Sequence, residues 1–251
     1  MIKIIILAIV QGFTEFLPIS SSGHLAILEN LMDIQEIVGV TAFLHLGTFI
    51  ATIVYFRKDI YEIIKGLMKR ESSAIRYVVN IIIGSIPIMV FAVLFRDYVE
   101  NSFMELRLII IFLGITGAIL LLTSIIPKGE NPLSPLRAFA IGIGQMFAAF
   151  PGLSRSGLTI SSGIYMKIDR IEAFRFSFLL SLPAIFGANL LEIKKVTHLP
   201  NPLEIIIGLI ISFISGLIAL RLLRSLVQKW FYLFGFYCLI ISLIFFRYLI
   251  L

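Results

Sequence analysis

Charge is scarce in this chain. Only 14% of its 251 residues are Asp, Glu, Lys or Arg, where an ordinary soluble domain carries about 25%. Cysteine is scarcer still. Cys238 stands alone, which excludes an intrachain disulfide and a cysteine-based metal centre. The three histidines, His24, His45 and His198, are too few for the His- and Arg-rich loops of a histidine-dependent lipid phosphatase. What is abundant is apolar: 59% of the residues, with a mean hydropathy of +1.03. That composition implies a polytopic membrane protein. The net charge of +6 does not point to nucleic acid. The bases sit in loops between apolar runs, where membrane topology accounts for them. The first apolar run, with Lys3, mimics a signal peptide. It lacks a small-x-small cleavage site and runs straight into a polar motif, so we expect it to be retained.

Six apolar runs, near 38–57, 73–95, 105–126, 170–192, 202–224 and 230–250, have the roughly 20 residues a bilayer requires. Two other segments, 1–33 and 134–166, are apolar but broken by Pro, Gly and clustered Ser. As a helix, residues 1–17 would reach about 25 Å, short of the roughly 30 Å hydrocarbon core. Broken helices at that depth are tolerated where protein or a water-filled cavity satisfies the backbone. The pattern therefore predicts an all-α polytopic membrane protein, one integral membrane domain over 1–251. It has six transmembrane helices and two re-entrant helical hairpins.

The halves, about 1–126 and 134–251, resemble each other. A shift of 134 sets Gln11 on Gln145, Phe13 on Phe147, Phe16 on Phe150, Ser20 on Ser154, Ser22 on Ser156 and Gly23 on Gly157. One hairpin plus three spans per half reverses the second half, which gives an inverted-topology repeat. Such repeats place a shared site near the bilayer midplane. Fourteen of the 21 Lys and Arg fall on one side, including Arg57, Lys58, Lys65, Lys69, Arg70 and Arg76. Six fall on the other: Lys3, Arg96, Arg107, Lys194, Lys195 and Arg247. The basic side is expected to be cytoplasmic. Both termini and the mouth of the first hairpin then face outward. Arg57 to Arg76 are assigned to the loop after the first span, and the Lys65–Arg76 run reads as a solvated cytoplasmic face rather than a lipid-specific site.

Polar groups at bilayer depth are costly and usually functional. The first hairpin holds Gln11, Glu15, Ser20, Ser21, Ser22 and His24. Gln11 and Glu15 are four apart and share a helix face. Pro18 ends that helix, and the serines lead into the N-terminus of the next, a ready anion site. The second hairpin reads Pro151-Gly152-Leu153-Ser154-Arg155-Ser156-Gly157-Leu158-Thr159. Its serines and backbone N–H groups suit phosphate oxygens, and Arg155 adds a permanent, bidentate cation. A carboxylate, a hydroxyl nucleophile, an imidazole and a cation make a kit for phosphoryl transfer. Glu15 could also hold a divalent ion together with substrate phosphates. Blander readings stay open beside this one. Glu15 and Arg155 could only fasten the hairpins. Ser124, Ser181, Ser212 and Ser215 fit back-bonding to their own helices, and His45 fits packing against a neighbouring helix.

The motifs Gln11-Gly-Phe-Thr-Glu15-Phe-Leu-Pro18-Ile-Ser20-Ser21-Ser22-Gly23-His24 and Pro151-Gly-Leu-Ser154-Arg155-Ser156-Gly157-Leu-Thr159 resemble those of the undecaprenyl-pyrophosphate phosphatase, or bacitracin-resistance, family. The resemblance covers nearly the whole chain. It implies an integral membrane enzyme of the cell membrane. Such an enzyme removes the terminal phosphate of a polyprenyl diphosphate, recycles the carrier of cell-wall glycan synthesis and confers bacitracin resistance. It implies catalytic roles for Glu15, Ser21, His24 and Arg155, and substrate contacts from Gln11, Ser20, Ser22, Ser154, Ser156, Gly157 and Thr159. It also implies a divalent cation, magnesium or calcium, at Glu15. The expected partners are the lipid substrate and membrane lipids, not nucleic acid, and a homodimer is compatible. Two departures stand out: Gln11 where Glu is common, and Tyr237-Cys238 where many members carry Tyr-Arg. A transporter or flippase for a phosphorylated polyprenyl lipid is the competing function, since broken helices in inverted repeats also serve transport.

Overall fold

In the computed structural model, residues 1–31, 38–95, 98, 99, 102, 105–195 and 201–250 are described. These residues form α-helices and connecting turns, with no strand among them. The helices are α1 (Ile2–Thr14), α2 (Ser21–Leu31), α3 (Val38–Tyr55), α4 (Arg57–Met68), α5 (Ser72–Leu94) and α6 (Leu106–Leu122). They continue with α7 (Pro135–Phe147), α8 (Arg155–Tyr165), α9 (Arg170–Lys195), α10 (Pro202–Leu226) and α11 (Leu233–Ile250). Among the described residues, three stretches are both long and apolar enough to cross a membrane: Ser72–Leu94, Arg170–Leu190 and Pro202–Leu226. Ile2–Thr14, Thr41–Tyr55, Leu106–Leu122 and Leu233–Phe246 are apolar but shorter. His198 and Arg96 lie outside the described residues.

One sequence expectation is corrected. The basic stretch after the first span is not a loop throughout, because residues 57–68 form α4. Ile60, Ile63 and Gly66 recur at helical spacing, and Ile60 and Ile63 pack against the main core. Asp59 anchors the helix by a 2.6 Å ion pair to Arg175 of α9. Tyr61, Ile64 and Met68 stay on the open face.

Lipid tails are as apolar as leucine, so helices in a membrane associate through close packing rather than hydrophobic exclusion. The small residues show where this happens. A Cβ at Gly12 of α1 would collide with Ser215 of α10, and one at Gly47 of α3 with Ser212 of α10. Gly142 of α7 meets the backbone of Gly84 in α5, and Gly117 of α6 meets that of Gly235 in α11. Each hairpin therefore lays its first arm on a long helix of the other half: α1 on α10, and α7 on α5. Phe16, Phe56, Phe174, Phe178 and Phe231 fill the main core between them. Both hairpin tips are held inside this frame.

Candidate functional site

Helix α1 ends at Thr14, earlier than Pro18 alone would require. Turn bonds carry the chain on to Ile19, with Glu15 N donating to Gln11 O and Leu17 N to Phe13 O. Ser20 then takes φ 67°, a left-handed conformation that costs a non-glycine residue energy and clusters at functional sites. Its Oγ accepts from Gly23 N at 3.3 Å and lies 3.3 Å from Ser22 Oγ. The second hairpin repeats the serine cap but moves the left-handed residue two positions earlier, leaving Ser154 extended. Gly152 supplies the positive φ, 92°. Ser154 caps α8 by accepting from Gly157 N at 3.1 Å, and its Oγ lies 3.3 Å from Ser156 Oγ. The two tips touch, with Ser156 Oγ donating to Leu17 O at 3.4 Å.

Glu15 and Arg155 meet across 140 residues of sequence, Arg155 Nη2 donating to Glu15 Oε1 at 2.7 Å. The other carboxylate oxygen accepts from Ser21 Oγ at 2.7 Å and from Gln11 Nε2 at 3.2 Å. One carboxylate thus bridges the hydroxyl of the first hairpin and the cation of the second. Arg155 also lies over the Phe178 ring, 5.7 Å from its centroid. Its Nη1 is buried without a hydrogen-bond partner, so the guanidinium keeps a free donor.

These groups line a cavity of about 250 Å³. Glu15, Ser20, Ser21, Ser22, Ser154 and Arg155 face it, together with Thr14, His45 and residues of α9. Other sequence-named residues sit behind the wall. Gln11 is fully buried. Ser156 is bonded to the first hairpin, Gly157 N is taken by the Ser154 cap, and Thr159 Oγ1 donates to Arg155 O at 2.7 Å.

His24 is also outside the lining. Its Nδ1 lies 2.8 Å from Ser20 O, which can only accept, so Nδ1 carries a hydrogen. In the neutral ring Nε2 then accepts from Tyr237 Oη, 2.8 Å away. The two rings stack at 5.6 Å. His24 therefore holds the strained Ser20 turn and links it to α11. The departure from the Tyr-Arg pair falls on the next residue, Cys238, which is buried with its Sγ 3.6 Å from Pro18 O.

The imidazole on the cavity side is His45, contrary to the packing role expected for it. Gln11 Nε2 lies 2.9 Å from its Nδ1 and 3.2 Å from Glu15 Oε2. The amide nitrogen faces the carboxylate, so His45 Nδ1 accepts. His45 Nδ1 itself is 3.8 Å from Glu15 Oε2. An imidazole within a span was the signal that could have drawn it into the site. Thr116 of α6 gave no such signal. Its Oγ1 donates to Gly152 O at 3.0 Å and accepts from Ser154 N at 3.1 Å, pinning the second break. Of the serines assigned to back-bonding, Ser124 donates to Leu121 O, Ser181 to Phe178 O and Ser212 to Leu209 O, each a turn earlier. Ser215 also reaches Ala8 O of α1, at 3.4 Å.

Among the described residues no group of three or more His, Cys, Asp or Glu could hold a metal ion. Gln11 meets the carboxylate through Nε2, and its unpartnered Oε1 is buried behind the cavity wall. Magnesium commonly binds through one or two carboxylates completed by substrate phosphates. Glu15 fits such a cation only with a phosphate present.

The residues 4–244 match the family described as bacitracin resistance protein BacA. Three relatives, all named undecaprenyl-diphosphatase, extend the likeness over almost the full length. The protein of Methanococcus vannielii is 40% identical, across 95% of this chain and 96% of its own. That of Thermosipho africanus is 41% identical, across 96% and 97%. That of Thermosipho melanesiensis is 42% identical, across 95% and 96%.

Proposed function

The chain belongs to the bacitracin resistance protein BacA family, and we propose that it is an undecaprenyl-diphosphatase whose active site is the cavity between the two hairpin tips. The enzyme hydrolyses the lipid diphosphate to the monophosphate and inorganic phosphate. The released monophosphate returns to cell-wall glycan synthesis, and consumption of the diphosphate lowers sensitivity to bacitracin. The activity named for the relatives favours this reading over transport of the intact lipid.

The observation that carries it is the Glu15 carboxylate held between Ser21 Oγ and Arg155 Nη2, each at 2.7 Å. In the proposed step the terminal phosphate binds against Arg155 and the helix N-termini beginning at Ser21 and Arg155. The free Arg155 Nη1, Ser154 and Ser20 to Ser22 contact its oxygens. Ser21 Oγ attacks the terminal phosphorus while Glu15 takes its proton. The bond from that phosphorus to the bridging oxygen breaks, and the polyprenyl monophosphate leaves with the electron pair. Water then hydrolyses the phosphoserine. In a direct mechanism, water occupies the place of Ser21 beside the same carboxylate. His24 holds the serine turn in register. Gln11, whose Nε2 also meets His45 Nδ1, orients the carboxylate from behind. A hydroxyl is a weak nucleophile at neutral pH without such a base.

A divalent cation, magnesium or calcium, would be held by Glu15 together with the substrate phosphates and would offset diphosphate charge. The chain is proposed to form one domain with six spans and two re-entrant hairpins. The repeated caps at Ser20 and Ser154, and the exchange of hairpin arms between halves, support an inverted repeat. It lies in the cell membrane with both termini and the cavity mouth outward.

Phosphate release from a C55 polyprenyl diphosphate by protein purified in detergent tests the function, because transport has no meaning there. Release is expected, and it should fall on addition of a chelator and return with magnesium or calcium. A protein that bound the lipid without releasing phosphate would contradict the assignment.

A further inference from the structure

Part of the cavity wall comes from α9. Ile185, Ala188 and Asn189 face inward there, at the three- and four-residue spacings that share one helix face. Two of the three are apolar, and the third is not. Asn189 is only 4% exposed, and its Nδ2 has no hydrogen-bond partner. An amide donor left unpaired in a buried site is costly, and native structures retain few. Leucine or alanine would line the wall without that cost. The same cavity holds a second unpaired donor, Arg155 Nη1. Two buried donors without acceptors, both on residues that line one cavity, describe a site shaped for an anion with several oxygens.

We propose that Asn189 is a substrate-binding residue, donating from Nδ2 to the diphosphate at the phosphate that is not transferred. The inference rests on reading this cavity as the diphosphate site. The hairpin groups Ser21 and Arg155 are bonded to one carboxylate, Glu15, and together engage the terminal phosphate. Asn189 is left for its neighbour. A contact to the phosphate that stays with the lipid holds the bound substrate and strengthens as that phosphate takes the leaving electron pair. Its loss should raise KM and also lower kcat. A neutral donor also adds no charge beside the Arg155–Glu15 pair.

The test uses full-length protein in detergent, with Asn189→Leu and Asn189→Asp variants. Phosphate release is measured from a C55 polyprenyl diphosphate, together with competitive inhibition by inorganic pyrophosphate. Loss of one hydrogen bond to a charged group should raise KM about tenfold in Asn189→Leu, with a smaller, several-fold fall in kcat. The inhibition constant of pyrophosphate should rise in parallel. In Asn189→Asp both should rise further, because a carboxylate would face the diphosphate. The melting temperature of Asn189→Leu should equal or exceed that of wild type, since an unpaired amide is removed; a purely structural asparagine would lower it. If KM rises but pyrophosphate inhibition does not, Asn189 touches the lipid tail and the proposal is overturned. An unchanged KM in both variants, with an active wild type, overturns this inference and leaves the phosphatase reading standing. A wild type that releases no phosphate overturns both.

Discussion

At the first hairpin break, Ser20 takes φ 67° and its Oγ accepts from Gly23 N. At the second, Gly152 takes φ 92° and Ser154 Oγ accepts from Gly157 N. Each break carries a second serine 3.3 Å from the first. The serine caps agree, yet the residues set beside them do not. Ser21 of the first hairpin corresponds to Arg155 of the second, and Glu15 corresponds to Ala149. The braces differ too. His24 and Tyr237 hold the first break, and Thr116 holds the second. A repeated serine cap thus supplies two helix N-termini at one cavity, while divergence at a few positions supplies a hydroxyl and a carboxylate from one hairpin and a cation from the other.

The largest effects should come from the positions where the hairpins diverge. Glu15→Ala is expected to lower kcat about 10²-fold or more by removing the base. Arg155→Ala is expected to cost about 10²–10³-fold by removing a preorganised donor. Phosphate release by either variant at wild-type rate would break the division of labour. Ser21→Ala comes next and sharpens the chemistry. A loss near 10²-fold fits attack by Oγ, and near-normal turnover would hand the attack to water.

The braces should be felt in stability. Thr116→Val keeps the shape and strips the hydroxyl, leaving Gly152 O and Ser154 N unpaired in a buried position. A destabilisation of about 1–3 kcal/mol is expected, read as a lower melting temperature. An unchanged melting temperature would mean that the second break needs no brace. The smallest effect belongs to Ser156→Ala. Its 3.4 Å bond to Leu17 O is at the weak end of hydrogen-bond geometry, so a loss of about 0.5 kcal/mol is expected. A larger drop would make the contact between tips a principal fastening.

What the sequence could reveal followed the cost of polarity. Glu15, the three serines and Arg155 stood out because each interrupts an apolar run where lipid or tight packing is expected. The 134-residue offset exposed the shared frame, since helix breaks need Ser, Gly and Pro at fixed spacing. Thr116, Tyr237 and Asn189 were illegible for the opposite reason. Each is one polar residue in a long apolar helix, and such a residue bonds its own backbone as readily as a distant partner. Only the packing of α6, α9 and α11 around the tips decides which. His45 was read as packing on that same prior, and Gln11 turns it toward the site. Helix α4 escaped notice because its charges masked the helical spacing of Ile60 and Ile63.

The central claim is that both hairpins build one catalytic unit through Glu15 and Arg155. The direct measurement is phosphate release from polyprenyl diphosphate by Glu15→Ala, Arg155→Ala and the double variant. Groups that act as a unit are far from additive. The double variant is therefore predicted to be no slower than the slower single variant, within about threefold. Losses that multiply would contradict the account and mean that the two hairpins act independently.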